Sequence, residues 1–446
     1  MSDAPWGGRR LHFIGIGGAG MSGLAIVALG LGARVSGSDR ADSSYADRVR
    51  ELGVEPVIGH DPSNLPDDAE VVVSTAIAED NPELAAARDR GLRILHRGEL
   101  LGEVSRLKRC LAVAGTHGKT TTASMVAHAL VASGRKPGYL IGGEVRSTGT
   151  NASWGQGDWV VIEADESDRS FLRLEPDVAV VTNVELDHHS TYRTLTEVQQ
   201  AFADFAGPAP TVIEPAGLEL EGVPPAVTFG IDTGTLAARE LELRPAGTSF
   251  KVEDTPVELR VPGRHNVLNA LAALAACREA GVGISEAAPT LADFTGAARR
   301  FEPHGRTVSG ALVYDDYAHH PTEVRATLEA ARTLEPERLV AVFQPHLYSR
   351  TKHLAREFGR ALALADVVVV TDIYPARENA EDFPGVTGWL VAGAAASAAH
   401  GRPVYWLPGM DEAEAFLRGE LREGDLLLTL GAGDVNELAK RLGGAE

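Results

Sequence analysis

The chain has 446 residues, with 42 basic against 62 acidic side chains and a formal charge of −20. Hydrophobic residues at 44% and charged residues at 23% are ordinary for globular protein, which excludes disorder, collagen repeats and coiled coil as the main architecture. The acidic field disfavours nucleic acid as a partner. Apolar runs such as LAVAG, VVVSTAI and VVVVT are strand-length rather than membrane-spanning, and two cysteines, Cys110 and Cys277, exclude a disulfide framework or structural zinc site.

At roughly 150 residues per domain, the length suggests about three domains. Strand-length apolar runs alternate with helix-length amphipathic stretches throughout, the pattern of parallel α/β sheets. The opening segment lacks the order of features in a secretory signal, so a cytoplasmic protein with two reduced thiols is expected.

The first domain is expected over 1–108. LHFIGIG reads as a strand, the stretch from Gly18 to Gly32 as a helix, and ARVSGSD and AEVVVSTAI as further strands. Gly15, Gly17 and Gly20 form GxGxxG after the first strand, with Gly18 among them, and Asp39 ends the next strand 22 residues beyond Gly17. By itself this reads as a dinucleotide-binding unit, able to seat a nucleotide diphosphate on a helix N-terminus.

The second domain is expected over 109–303. CLAVAG is a strand and THGKTTTASMVAHALVASG a loop and helix. Gly115, Thr116, His117, Gly118, Lys119 and Thr120, followed by Thr121, have the strand-to-helix context of a phosphate-binding loop, with Lys119 reaching the phosphates and the Thr120 hydroxyl reaching Mg²⁺. Lysine occurs at only six positions, which makes Lys119 conspicuous, although Val113 stands where the common GxxxxGK[ST] pattern has its first glycine. WVVIEADE and DVAVVTNV are two more strands; Glu163, Asp165 and Glu166 at the end of one and Asn183 to His188 at the end of the other are candidate ligands. Residues 211–262 read as an antiparallel insertion, and HNVLNALAALAACREAG as a return to helix.

The third domain is expected over 304–446. ALVYDDYAHHPTEV, RLVAVFQPH, DVVVVTDIYPA and DLLLTLGAGDV each read as a strand ending in polar residues, where ligands of open parallel sheets bind. Asp315, Asp316, His319, His320, His346 and Arg350 supply acid, base and cation there.

AGTHGKTTT, EADESD, TNVELDH, GRHNVLNALAA, RRFE, DDYAHHPTEV, FQPH and GAGDV, together and in order, resemble the Mur ligases over nearly the whole chain. The resemblance implies a Rossmann-like N-terminal domain for a UDP-sugar, a central P-loop ATPase and a Rossmann-like C-terminal domain for an amino acid. It is strongest to the branch that uses ATP and Mg²⁺ to join L-alanine to UDP-N-acetylmuramate in peptidoglycan precursor synthesis. It assigns Gly15, Gly17, Gly18, Gly20, Asp39, Ser74, Thr75, His96 and Arg97 to the UDP-sugar, and Gly115 to Thr121 with Asn266, Arg300 and Asp316 to ATP. Thr120, Glu163 and His188 are assigned to the metal, and His320, His346 and Arg350 to the acceptor and amino acid. Lys119, Arg300, His320 and His346 are the expected catalytic set.

There are two departures. Leu347 stands where the family often has Arg after the FQPH histidine, so one cationic contact is lost or supplied elsewhere. No Lys lies between Lys136 and Lys251 to be carbamylated, as in other branches, which fits the alanine-adding one. Rival readings are a recycling ligase attaching a tripeptide to the same UDP-sugar, an NAD-dependent dehydrogenase and a non-catalytic nucleotide-binding regulator. Monomer and dimer are both compatible with the sequence.

Overall fold

The computed structural model describes residues 4–189, 191–245 and 247–444, folded around three sheets. The first is parallel, in the order β3-β2-β1-β4-β5: β1 (Arg10–Ile14), β2 (Arg34–Asp39), β3 (Val57–Ile58), β4 (Glu70–Val73) and β5 (Ile94–His96). The order reverses between β1 and β4. The turns after these two strands therefore diverge and leave a crevice. The glycine turn follows β1 and Ser74-Thr75 follows β4, so both open onto it.

The central sheet has ten strands: β6 (Arg109–Ala114), β7 (Gly138–Val145), β8 (Thr150–Trp154), β9 (Trp159–Glu163), β10 (Val178–Val181), β11 (Thr211–Pro215), β12 (Val227–Ile231), β13 (Leu236–Arg244), β14 (Gly247–Val252) and β15 (Thr255–Leu259). Their order is β15-β14-β13-β12-β11-β10-β6-β9-β7-β8. β6 lies between β10 and β9, all three parallel, so the loops after them meet at one edge. These strands are buried on both faces, which is why they read as continuous apolar runs. Of the antiparallel insertion expected over 211–262, only β13-β14-β15 is antiparallel; β11 and β12 extend the parallel part of the sheet, because β11 adds beside β10 and β12 beside β11 in the same direction. The antiparallel β7-β8 pair was not legible, because Gly138, Gly142 and Gly143 interrupt its apolar pattern.

The third sheet runs β16-β17-β21-β18-β19-β20: β16 (Glu302–Arg306), β17 (Leu312–Asp316), β18 (Arg338–Phe343), β19 (Val367–Val370), β20 (Val404–Trp406) and β21 (Asp425–Leu430). All neighbours are parallel except β16 on β17. The boundary expected at 303/304 cuts β16, so the third sheet begins at Glu302. The strand is polar and its register is broken between Pro303 and Arg306, which hid it from an apolar-periodicity reading.

The HPTE sequence has a local cause. His320 caps the helix Pro321–Arg332: its Nδ1 accepts from Thr322 N at 3.4 Å, and Glu323 Oε2 accepts from His320 N at 3.2 Å. Proline at the first helical position completes the start signal.

Candidate active site

Val113 occupies β6, paired with Val180 and Glu163, so the phosphate loop begins only at Gly115 and is shorter than the common pattern. Gly115 has φ +144° and a Cβ there would lie 1.9 Å from Thr182 Oγ1; Gly118 has φ +79° and its Cβ would lie 2.4 Å from Asn269 Oδ1. Only glycine fits either position. The loop after β10 braces this turn. Asn183 accepts from His117 N and donates to His117 O, both at 2.9 Å, and Glu185 N donates to Thr116 Oγ1 at 2.8 Å.

Lys119 begins the helix Lys119–Ala132. Its ammonium lies 3.0 and 2.9 Å from the two carboxylate oxygens of buried Glu166 and donates to Gly115 O at 2.6 Å. Burial works against its charge, but Glu166 outweighs burial and raises the pKa. His188 Nε2 lies 3.2 Å from the same carboxylate. Thr120 Oγ1 donates to Glu163 Oε1 at 2.8 Å, and Gly142 N donates to the other oxygen at 2.6 Å. A threonine hydroxyl and a carboxylate beside a phosphate cradle are hard oxygen donors that suit Mg²⁺. His188 joins this pair only through Glu166 and Lys119.

The residues around the loop line a cavity of about 1320 Å³ shared by all three domains. At one end are Gly15, Gly17, Gly18, Gly20, Asp39, Ser74, Thr75 and Arg97; at the centre are Thr116, Gly118, Lys119, Thr120, Glu163 and His188. Arg300, Tyr317, His319, Glu323, His346 and Arg350 come from the junction and the third domain. Asp39 Oδ2 accepts from Gly17 N at 2.8 Å, so it holds the glycine turn itself. Arg97 passes over Gly20 and donates to Asp165 and Asp168, each at 2.9 Å, which ties the first domain to the second.

Several expected residues do not line the cavity. Gly115, His117 and Thr121 lie behind the loop surface. His96 caps the helix Arg97–Ser105. Asn266 donates to Pro262 O at 2.8 Å and accepts from Asn269 at 3.1 Å. Asp316 accepts from Phe301 N and Ala318 N, and burial raises it to about 6. His320, expected to face the acceptor, is a buried helix cap whose ring sits 4.6 Å from that of His117. Its neighbour His319 lines the cavity instead, because capping turns the two side chains apart.

Charge at the junction between the second and third domains is tightly coupled. Burial disfavours a charged His117, but Glu185 and Glu323 overcome it and push the imidazole up to about 9. Burial likewise opposes the Glu323 carboxylate, yet His319, His117 and Arg300 hold its pKa well below the usual carboxylate range. His117, Glu185 and His320 bring three ligand-type atoms within 4.8 Å of one another, but Thr322 already donates to Glu185 at 2.7 Å and to His320. Arg350 Nη2 lies 3.0 Å from both oxygens of Asp187 and its Nη1 donates to His346 Nδ1 at 3.2 Å. Arg350 and Asp187 are each 4% exposed, so loss of either leaves a buried charge unpaired. Burial, with the nearby cations, holds His346 down at about 3, a neutral ring.

Sequence reasoning left Asn183, Glu185, Asp187, His319, Glu323 and Tyr374 without individual roles. Most stood in polar strand ends already noted, and Glu323 was signalled by its place in the capping box. His60, on the cavity wall, had no sequence signal.

Three family models match in order: "Mur ligase family, catalytic domain" over 10–109, "Mur ligase middle domain" over 113–277, and "Mur ligase, glutamate ligase domain" over 299–433. A UDP-N-acetylmuramate–L-alanine ligase of Streptomyces coelicolor is 46% identical, covering 97% of this chain and 96% of its own. One from Rubrobacter xylanophilus is 45% identical, covering 97% and 99%. The crystal structure of UDP-N-acetylmuramate-alanine ligase from Thermotoga maritima superposes with a TM-score of 0.84 at 32% identity, covering 97% and 98%. That of a murein peptide ligase from Psychrobacter arcticus gives 0.74 at 26%, covering 98% of each chain. From its first sheet to its third, the chain belongs to the Mur ligase family.

Proposed function

We propose that this protein is the ATP-dependent ligase that joins L-alanine to the lactyl carboxylate of UDP-N-acetylmuramate, releasing ADP and phosphate, in peptidoglycan precursor synthesis. The observation that carries this reading is a single cavity lined by the glycine turn of the first domain, the lysine loop of the second and the FQPH strand end of the third. One cavity can then hold a sugar nucleotide, ATP and an amino acid together. No helix among the described residues is long and apolar enough to cross a membrane; the substrates are water-soluble, which suits work in the cytoplasm.

A carboxylate is a poor acyl donor because its leaving group would be oxide. Its oxygen attacks the γ-phosphorus, the bond to ADP breaks, and an acyl phosphate forms. The alanine amine then attacks the acyl carbon, phosphate departs, and the amide remains as the amine loses its extra proton. Two anions meet in the first step, so local cations must offset both the repulsion and the overall −20 charge. Lys119 exchanges Glu166 for the β- and γ-phosphates, and Arg300 approaches from the domain junction. Thr120 and Glu163 would hold Mg²⁺, which when bound would neutralise phosphate charge; His188 stands beside Glu166. The Arg97 clamp and the Arg350–Asp187 pair draw the outer domains onto the central one and exclude water from the acyl phosphate. With Nδ1 accepting from Arg350, His346 carries its proton on Nε2 and acts as a donor that orients substrate, not as a base.

The test is phosphate release from MgATP with UDP-N-acetylmuramate, with and without L-alanine. Release that requires both, with a new amide product, is the expected result. Release driven only by a tripeptide acceptor would identify the recycling branch, and silence with every acceptor would refute the enzyme reading.

A further inference from the structure

The amino-acid substrate brings a carboxylate that does not react and must be held. Burial around His346 makes an uncompensated anion expensive there. The residues expected to hold it, His320, His346 and Arg350, and their neighbours His319 and Arg299 are committed elsewhere or uncharged. Arg350 is saturated by both oxygens of Asp187. His346 and His319 are neutral, each held near 3 chiefly by burial. His320 lies outside the cavity as a helix cap. Arg299 donates to Gly431 O, Gly433 O and Asp315. Leu347, on the cavity wall, offers no charge where the family often has Arg.

The loop after β19 supplies a cation at this end. Arg377 lines the same cavity as His346, Leu347 and Arg350, and is close enough to His346 to help suppress its protonation. Its backbone is fixed on both sides. Tyr374 N donates to Pro345 O at 2.8 Å, Leu347 N donates to Tyr374 O at 3.0 Å, and the Tyr374 ring stacks on His346 at 5.8 Å. On the other side, Glu378 accepts from Ser349 N at 2.9 Å. The FQPH turn and the Arg377 loop are thus one zipped unit. Arg377 is exposed and is in no ion pair among the described residues, in contrast to Arg350.

We infer that Arg377 binds the α-carboxylate of the incoming amino acid, replacing the cation that Leu347 omits. The inference rests on the ligase reading above. A planar guanidinium matches a carboxylate through two parallel hydrogen bonds. The guanidinium has no carboxylate of its own to release when the substrate arrives.

The experiment is steady-state kinetics with each of L-alanine, MgATP and UDP-N-acetylmuramate varied in turn while the other two are saturating, for wild type, Arg377→Ala, Arg377→Lys and Leu347→Arg in the Arg377→Ala background. Arg377→Ala should raise KM for L-alanine about 10- to 100-fold, the range for a charge-assisted contact. KM for ATP and for the UDP-sugar should stay within about twofold, because the lost hydrogen bonds reach only the amino acid. Lysine should recover part of the loss and the relocated arginine most of it. With L-alaninamide, which lacks the carboxylate, wild type and Arg377→Ala should perform alike. An unchanged KM for L-alanine, or an equal rise in all three KM values, overturns the assignment while the ligase stands. A wild-type protein that makes no amide overturns the ligase reading and this one with it.

Discussion

The chain has two glycine turns in the same setting, each joining the first strand of a domain to a helix, and they are built for different work. The turn at Gly15–Gly20 presents backbone N–H groups, is held by Asp39, and receives one cation, Arg97, from the side. The turn at Gly115–Thr120 carries its own lysine, facing Glu166, with a hydroxyl–carboxylate pair at its mouth. A helix N-terminus alone offers an anion site. In the proposed reaction, what distinguishes a cradle that holds a diphosphate from one that transfers a phosphoryl group is the set of side chains that neighbouring strands aim at it. In the central sheet these come from β9 and β10, which flank β6.

The largest expected difference between the turns is in Lys119. Lys119→Ala should cut phosphate release by about 100- to 1,000-fold, with circular dichroism showing the fold retained; near-normal turnover would remove the phosphate-loop role. Gly115→Ala comes next. With φ at +144° and Thr182 Oγ1 in the way, it should cost about 1–3 kcal/mol of stability and lower the thermal midpoint along with activity. A variant as stable as wild type would show that the turn can rebuild around a Cβ. In the first turn, Asp39→Ala removes a single support, so we expect KM for the UDP-sugar to rise about 5- to 10-fold, the loss of one modest hydrogen bond, with KM for ATP unchanged. Equal rises in both would mean that the two cradles are not separable.

The smallest effects are in pH dependence, and the domains differ in sign. His117, raised to about 9, stabilises the junction fully below about pH 6.5 and loses that contribution as pH rises through about 9. The difference in thermal midpoint between wild type and His117→Gln should be largest below pH 6.5 and vanish above 9. Beneath the first turn, burial opposes the Glu83 carboxylate, but hydrogen bonds from His12, Ser38 and Asn64 lower it to about 2. That contribution is present above about 4.5 and is lost as pH falls through 2. Glu83→Gln should lower the thermal midpoint above about pH 4.5, with the difference from wild type shrinking as pH falls through 2.

The two turns also differ in how far they could be read. Lys119 and Thr120 were legible because glycine, lysine and threonine at that spacing between strand and helix have few other uses. Asp39 was legible as a strand-end carboxylate, but its partner was not: a carboxylate beside a glycine turn can face a ligand or the turn's own N–H, and only the structure shows the second. In RRFE the resemblance picked Arg300; both arginines line the cavity, but Arg299 is tied to Gly431 O, Gly433 O and Asp315, which only the structure shows. Of the two adjacent histidines the resemblance picked His320, whereas capping places His320 at the helix start and leaves His319 on the cavity wall.

By itself, the sequence determined the α/β architecture in three parts, the glycine–lysine turn between a strand and a helix, and the polar strand ends, because each is written in local periodicity or spacing. Only the tertiary structure decided which of those polar groups remain available to substrate. Ion pairs such as Arg350–Asp187 and Lys119–Glu166 join residues 163 and 47 positions apart. Whether a side chain is spent on a partner or left free is settled by strand order and domain docking, which no local pattern encodes.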